Sequence, residues 1–369
     1  MIARFPGNHR PNTGESGQTR EWHNGAVAER LDGSAAGRRR VAVIGAGAWG
    51  TTFGKILADG GAEVVIWARR ASTAREIDVA KRNAKYLKGI ALPKHLRATA
   101  DAAAALAGAE EVYLSVPSQS LRENLRHLRD SIPEDAILVS LMKGLERGSA
   151  RRMSQIIAEE LGTPAERIAV VSGPNLALEI AREQPTAAVV ASASLATAQS
   201  VAITARNEYF RSFVNTDVVG TEFGGVLKNI VAVAVGIVDG VGFGENTKAS
   251  IITRGLAELT DFAVAYGAKP ETMSGLAGLG DLIATCSSPL SRNNTAGRLL
   301  GQGLTLKEVA AKMNQTAEGL SSIAPILELA EAKGVSMPIA QQVAAVLDGE
   351  LDPREIAPHL TTDDMPQGE

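Results

Sequence analysis

The order of periodicities along the chain predicts an α/β fold: an N-terminal doubly wound sheet followed by an all-helical C-terminal domain. Three observations carry this. From Val41 onward, short β-branched runs alternate with helical stretches. The first of these runs are apolar throughout rather than alternating, as strands covered by helices on both faces must be. After about Val218 the strands stop, and helical runs punctuated by Gly and Pro continue. The expected organisation is a disordered tail over 1–38, a sheet domain over 39–217, a helical domain over 218–352 and a C-terminal tail over 353–369. A chain of 369 residues is long enough for a sizeable core in each domain.

The opening stretch, "MIARFPGNHRPNTGESGQTREWHNG", has no apolar h-region and so does not read as a secretory signal. Its mixture of Gly, Pro, Asn, Glu and Arg has no helix or strand period, which makes it a disordered tail. Glu15, Glu21, Glu29 and Asp32 argue against an organelle transit peptide, and "GRRR" (Gly37 to Arg40) reads as the solvated edge of the first strand. Strands are expected at Val41 to Gly45, Glu63 to Trp67, Val112 to Val116, Ala136 to Leu141, Ile168 to Ser172 and Thr186 to Ala191, with a short edge strand at Phe210 to Val214. Helices are expected at Thr221 to Asp239, Thr247 to Tyr266, Arg292 to Leu300, Leu306 to Met313, Leu320 to Ala332 and Ile339 to Leu347. A pair between Arg254 and Glu258, one turn apart, would organise the second of these helices.

Composition narrows the class of function. A net charge of -3 gives no general attraction to nucleic acid or to an anionic membrane. Ile230 to Val238 is too short to cross a bilayer, so no stable membrane insertion is expected. The single cysteine, Cys286, cannot form an internal disulfide, which fits a reducing cytoplasm, and it reads as a packed thiol. No His or Cys cluster has metal-ligand spacing, so no metal is expected; His95 and His127 read as surface residues.

"VAVIGAGAWGTTFG" is the first chemical signal. Gly45, Gly47 and Gly50 form G-x-G-x-x-G after a strand and at the start of a helix, the Rossmann dinucleotide-binding context. The helix N-terminus at Ala48 then offers N–H groups and partial positive charge to a pyrophosphate. The second strand ends "WARR", with no carboxylate after Trp67 until Glu76 to hold a ribose 2′-OH. Arg69, with Arg70 beside it, is placed to meet a 2′-phosphate, which favours NADP(H) while leaving NAD(H) possible. The alternative is that both arginines are solvated.

Lys228 and Asn229 raise a different question, because they open a helix that continues into a wholly apolar run. At 3.6 residues per turn, Gly224, Gly225, Val231, Ala232 and Val235 lie within about 60° of Lys228. Two glycines one turn earlier would let something bulky approach beside the ammonium. The bland alternative is a lysine that snorkels or pairs with a carboxylate such as Asp281.

The surrounding motifs decide against the bland alternative. "GAGAWGT", "LMKG" (Leu141 to Gly144), "SGPNLALE" (Ser172 to Glu179), "LKN", "GENTKASIITRGLAE" (Gly244 to Glu258), "GLGDLIATCSSPLSRNNTAG" (Gly278 to Gly297) and "AEG" (Ala317 to Gly319) stand in this order. The set resembles the bacterial NAD(P)-dependent glycerol-3-phosphate dehydrogenases over essentially Val41 to Leu347. The resemblance implies reduction of dihydroxyacetone phosphate to sn-glycerol 3-phosphate, the backbone of glycerophospholipids, with Lys228 as proton donor and acceptor. It places Lys143 against both substrate and cofactor, Gly173 and Asn175 against substrate, and Ala177 against cofactor. Asp281 would hold the reacting end, while Ser291, Arg292 and Asn293 would hold the phosphate. Arg292 and Glu318 would also reach the nucleotide, with Trp49, Arg69 and Tyr86 at further cofactor positions. A homodimer is expected.

The chemistry of the residues agrees. A phosphate dianion suits a planar guanidinium and the amides of a helix start, as at Arg292 and Asn293. Hydride arriving at C2 leaves an alkoxide that needs a nearby acid. Burial and the charge of Lys143 should lower the Lys228 pKa, with Asp281 opposing them. The chain departs from the family pattern at Asn175, where Ser or Thr is usual, at Asn294, where a basic residue is common, and at Lys88, where Pro is frequent. The last of these loosens the case for Tyr86. A ketopantoate or β-hydroxyacid dehydrogenase would not need the Ser291-Arg292-Asn293 site, and a non-catalytic NADP-sensing regulator would not need Lys143, Lys228 and Asp281 together.

Overall fold

In the computed structural model, residues 38–313 and 318–356 are described. The expected N-terminal tail, apart from Arg38, and the C-terminal tail beyond Ile356 lie outside them. Strands β1 (Arg40–Ile44), β2 (Glu63–Trp67), β3 (Arg97–Thr99), β4 (Glu111–Leu114), β5 (Ile137–Ser140), β6 (Ile168–Ser172), β7 (Thr186–Ser192) and β8 (Phe210–Asn215) form one sheet. Their spatial order is β3-β2-β1-β4-β5-β6-β7-β8. The order reverses between β1 and β4, and the crevice beyond the strand ends at such a switch point is where ligands bind in sheets of this kind.

Seven helices serve the sheet: α1 (Ala48–Asp59), α2 (Ala71–Asp78), α3 (Ala102–Leu106), α4 (Leu121–Leu128), α5 (Met153–Leu161), α6 (Ala177–Ala181) and α7 (Leu195–Thr204). Apolar cores lie on both faces, one around Phe53, Ile56 and Val201, the other around Leu125, Ile156 and Ile157. This is the double cover that the apolar strands predict. Two details differ. β3 was not expected, because three residues of an edge strand carry no readable period. β7 runs antiparallel to β6. A parallel return needs a substantial crossover, and the five-residue α6 does not provide one.

The helical half comprises α8 (Val218–Val241), α9 (Glu245–Ala265), α10 (Pro270–Met273), α11 (Asp281–Ser287), α12 (Arg292–Gly301), α13 (Leu306–Lys312), α14 (Glu318–Lys333) and α15 (Pro338–Asp348), with a π-helical turn at Leu276–Gly280. Among these elements α9, α10, α11, α12, α14, α15 and the π-helical turn pack on α8, and α13 packs on α12. Asp217 caps it, one carboxylate oxygen accepting from Gly220 N–H at 2.8 Å and the other from Lys269 N–H at 2.8 Å. Gly242, at φ +98°, ends it in the left-handed conformation. By length and composition α8 could cross a membrane, but 83% of its most apolar window is buried inside the protein, so it is a core helix.

Three local expectations are corrected. Arg254 is exposed and makes no ion pair among the described residues. Glu258 instead turns inward and accepts the Ile339 and Ala340 N–H groups at 2.8 and 3.1 Å, capping α15; burial pushes its carboxyl up to about 7. In "GRRR", Arg39 is not merely solvated: it pairs at 2.5 Å with Glu111, whose side chain is fully buried. Residues 353–356, expected as tail, include Ile356, which is buried in the helical core.

Candidate active site

At the nucleotide end, each glycine of the turn has a separate reason to be there. Gly45 sits at φ +119°, and a Cβ on it would lie 2.3 Å from the Ser115 carbonyl oxygen. A Cβ on Gly50 would lie 2.1 Å from the Gly45 oxygen. Gly47 differs, since nothing in the protein comes within 4 Å of its Cβ position. Its missing side chain leaves a cradle open to solvent beside the first turn of α1, where no acidic side chain and no capping side chain compete for the N–H groups. These residues fit a dinucleotide pyrophosphate.

The loop is braced from two sides. Asn83, wholly buried, donates to the Ala46 carbonyl at 3.0 Å and to Thr51 Oγ1 at 2.8 Å. The Trp49 indole donates to the Leu141 carbonyl at 3.2 Å and meets Phe53 edge-on, which ties α1 to the segment that carries Lys143. Sequence reading missed Asn83, because its partners are a carbonyl and a hydroxyl more than thirty residues away. Tyr86 lies on the same loop, half-buried, with the Lys85 ammonium over its ring. Arg69 and Arg70 follow β2 and are exposed.

At the reacting end, Asp281 is the hub. It is 1% exposed. Oδ2 accepts from Lys143 Nζ at 2.6 Å, and Oδ1 accepts from Lys228 Nζ. Lys143 also donates to the Gly173 carbonyl at 2.9 Å, and Lys228 to Thr285 Oγ1 at 2.6 Å. The Thr285 hydroxyl in turn donates a hydrogen bond to the Asp281 carbonyl at 2.6 Å. Two of the three Lys228 N–H groups are thus engaged, which leaves one for a substrate oxygen. Burial lowers the Lys228 pKa to about 8, Asp281 opposing it and Lys143 adding to it. The sequence anticipated this balance. It did not anticipate Thr285, one turn beyond Asp281 in a helix that was not expected.

The pairing of Lys228 with Asp281, offered above as the bland alternative, is therefore real. The carboxylate serves two lysines at once, however, and a structural pair needs only one. The neighbouring glycines also work differently from the expectation. A Cβ on Gly224 would lie 2.4 Å from the Ala277 carbonyl, and one on Gly225 2.8 Å from Ser172 Oγ and 3.2 Å from the Lys143 side chain. What approaches α8 there is the protein itself, delivering Lys143 and the π-helical turn that precedes Asp281. Cys286 is buried, and burial pushes its thiol up to about 12, so it is no nucleophile.

The anion end is the start of α12. Ser291 caps it, its hydroxyl accepting from Asn294 N–H at 3.2 Å. The first-turn N–H groups have no partner inside the helix, and the exposed Arg292 stands beside them. The Asn293 side chain is committed elsewhere: it donates to Asn229 Oδ1 at 2.8 Å and accepts from Gly319 N–H at 2.9 Å. That leaves its backbone N–H and one Nδ2 hydrogen for an anion. The α8 and α12 backbones touch: a Cβ on Gly236 would lie 2.3 Å from the Asn294 oxygen, and one on Gly297 2.1 Å from the Val233 oxygen. Between the two ends lies the turn after β6. There both amide atoms of Asn175, and Ser172 Oγ, are buried without a hydrogen-bond partner, and the Ala177 carbonyl accepts from Thr52 of α1 at 3.2 Å. Glu318 begins α14, and its side chain lies outside the described residues.

Comparison with known proteins identifies the family. The family model for the NAD-dependent glycerol-3-phosphate dehydrogenase N-terminus matches residues 40–198, and that for the C-terminus matches residues 217–358. The chain belongs to this family. Glycerol-3-phosphate dehydrogenase [NAD(P)+] of Leifsonia xyli is 68% identical over 327 residues, 89% of each chain. That of Streptomyces griseus is 55% identical, over 84% of this chain and 92% of the relative. The crystal structure of glycerol-3-phosphate dehydrogenase from Coxiella burnetii superimposes with a TM-score of 0.83 at 35% identity, covering 88% of this chain and 99% of that one. A ketopantoate reductase from Ralstonia eutropha shares the fold alone, at 17% identity and a TM-score of 0.54.

Proposed function

We propose that the protein catalyses reversible hydride transfer between NAD(P)H and dihydroxyacetone phosphate, giving sn-glycerol 3-phosphate. The observation that carries the reading is the Asp281 carboxylate shared by Lys143 and Lys228, in a family of glycerol-3-phosphate dehydrogenases. Gly45, Gly47, Ala48, Trp49 and Gly50, with Tyr86, Lys143, Ala177, Arg292 and Glu318, seat the nucleotide, and Arg69 and Arg70 meet the 2′-phosphate of NADP(H). When bound, the nicotinamide supplies the hydride that reduces the C2 ketone. Ser291, the Arg292 guanidinium and the Asn293 amide hold the substrate phosphate at the start of α12. Gly173 and Asn175 line the substrate, whose hydroxyl end offers partners to the orphaned amide. Lys228 donates its remaining proton to the C2 oxygen and accepts it in the reverse direction, while Asp281 and Lys143 fix the orientation of the ammonium.

On this reading residues 39–217 bind the nucleotide, and residues 218–352 bind the substrate and carry the acid. The enzyme works as a cytoplasmic homodimer without inserting in the membrane, and its product feeds glycerophospholipid synthesis. The test is NADPH oxidation by the purified protein with dihydroxyacetone phosphate, compared with ketopantoate and a β-keto acid. Oxidation with a carboxylate substrate and none with the triose phosphate overturns the reading.

A further inference from the structure

Glu222 lies on α8 six residues before Lys228, about 9 Å along the axis at 1.5 Å per residue. It is 5% exposed, yet it carries a full set of partners. Oε1 accepts the Ser154 N–H at 2.9 Å, and Oε2 accepts the Ser154 hydroxyl and pairs with Arg152. Ser154 is in the first turn of α5, so the carboxylate also sits where a helix favours negative charge. The Arg152 guanidinium lies 6.0 Å over the Phe223 ring. A buried ion pair is rarely the cheapest way to fill space, so its use here calls for a reason beyond stability.

The reason lies in what the segment carries. Residues 141–152 leave β5, bear Lys143, and close on themselves through the bridge between Leu145 and Arg152 before entering α5. On the sheet side the segment is held by Trp49 at the Leu141 carbonyl, by Gln119 at the Leu145 carbonyl and Arg147 N–H, and by Arg122 paired twice with Glu146. On the side of α8 the polar anchor among the described residues is Glu222, while the Lys143–Asp281 pair ties the segment to α11. We propose that Glu222 is a positioning residue for catalysis, locking the Lys143 segment onto the helix that carries Lys228 and so fixing the charge that Lys143 presents to the Lys228–Asp281 pair. This rests on the reading of Lys228 as the acid.

The groups facing Lys228 are Asp281, Thr285 and Cys286 from α11, and Lys143 from this segment. Lys143 is the cation among them that holds the Lys228 pKa down. If Glu222→Gln loosens the segment, Lys143 withdraws and the Lys228 pKa rises. The experiment compares wild type, Glu222→Gln, Glu222→Asp and Arg152→Met, measuring kcat against pH per mole of folded enzyme, together with NADPH affinity. The expected result for Glu222→Gln is a kcat lower by about tenfold to a hundredfold, as misplacement remote from the chemistry can produce. The alkaline fall in rate should move to higher pH, NADPH affinity should be unchanged, and Glu222→Asp should restore part of both effects. Arg152→Met should shift the limb the same way, which keeps the test open if Glu222→Gln does not fold. An unshifted limb and normal kcat in the folded variants, whatever their melting temperature, overturn the positioning role. A wild-type enzyme that does not reduce dihydroxyacetone phosphate overturns the underlying reading instead.

Discussion

The nucleotide end and the reacting end of this site are held by different physics. The glycine turn is one contiguous stretch, Gly45 to Gly50, whose positions are set by backbone approach, to Ser115 at one glycine and to Gly45 itself at another. Its charged neighbours, Arg69 and Arg70, stay in solvent. At the reacting end nothing is contiguous. Lys143, Lys228 and Asp281 come from three distant parts of the chain and meet as charges, Lys228 and Asp281 buried and Lys143 partly so. Each is tolerable in the interior only because the others are there. A site made of backbone is ruined by added atoms and tolerates lost charges, whereas a site made of charges is ruined by losing any one of them.

Substitution of the acid separates the two ends most sharply. Lys228→Met keeps the apolar stem and removes the proton, so turnover should fall by about 10²–10⁴ while NADPH binding at the glycine turn persists. Normal turnover takes Lys228 out of the chemistry. Arg292→Ala comes next. Loss of a charge-assisted contact to phosphate should raise the KM for dihydroxyacetone phosphate by roughly 10–100-fold, with little effect on unphosphorylated dihydroxyacetone. Equal damage with both ketones would give Arg292 a structural or nucleotide role.

The pH profile probes the buried charges without any substitution. Reduction needs protonated Lys228, so above about 8 the rate should drop by about tenfold per pH unit. Stability moves the other way. The folded pKa of about 8 lies below the ordinary 10.5, so between these values the unfolded chain binds the extra proton and the contribution of Lys228 to stability rises with pH. Measuring turnover and melting temperature across that window should show the rate falling while this contribution increases; a flat rate would place the proton donor elsewhere. The smallest effect belongs to the exposed arginine. Arg69→Ala should weaken NADPH by up to about fivefold, the gain of a solvent-screened contact, and leave NADH nearly unchanged. No loss with either nucleotide would assign Arg69 to solvent, and equal loss with both would deny it the 2′-phosphate.

The same contrast explains what could be read from the chain beforehand. The glycine turn, the apolar strands of the sheet and the length of α8 are local patterns, and each appears where periodicity puts it. Lys228 was visible because a charge inside an apolar run is conspicuous. Thr285, Asn83 and Glu222 were not, because a threonine, an asparagine or a glutamate shows its purpose only when its distant partner is in view. The turn of β7 against β6 was hidden for a related reason: an apolar strand reads the same in either direction. Asn293 was visible as a motif residue, but its side chain turned out to brace Asn229 and Gly319.

The contact between α8 and α12 bears on how this enzyme can evolve. Glycines stand where the two backbones meet, at Gly236 and Gly297. The span from the Lys228 ammonium to the start of α12 is therefore set largely by main-chain contact, with the Asn229–Asn293 side-chain bond bridging the helices nearest the site. Pocket mutations can alter what the substrate carries along its length, but lengthening the span means parting two backbones already in contact. A lineage moving toward a four-carbon phosphate would need an insertion or a register shift in one helix, a rarer event than the point substitutions that retune a nucleotide site.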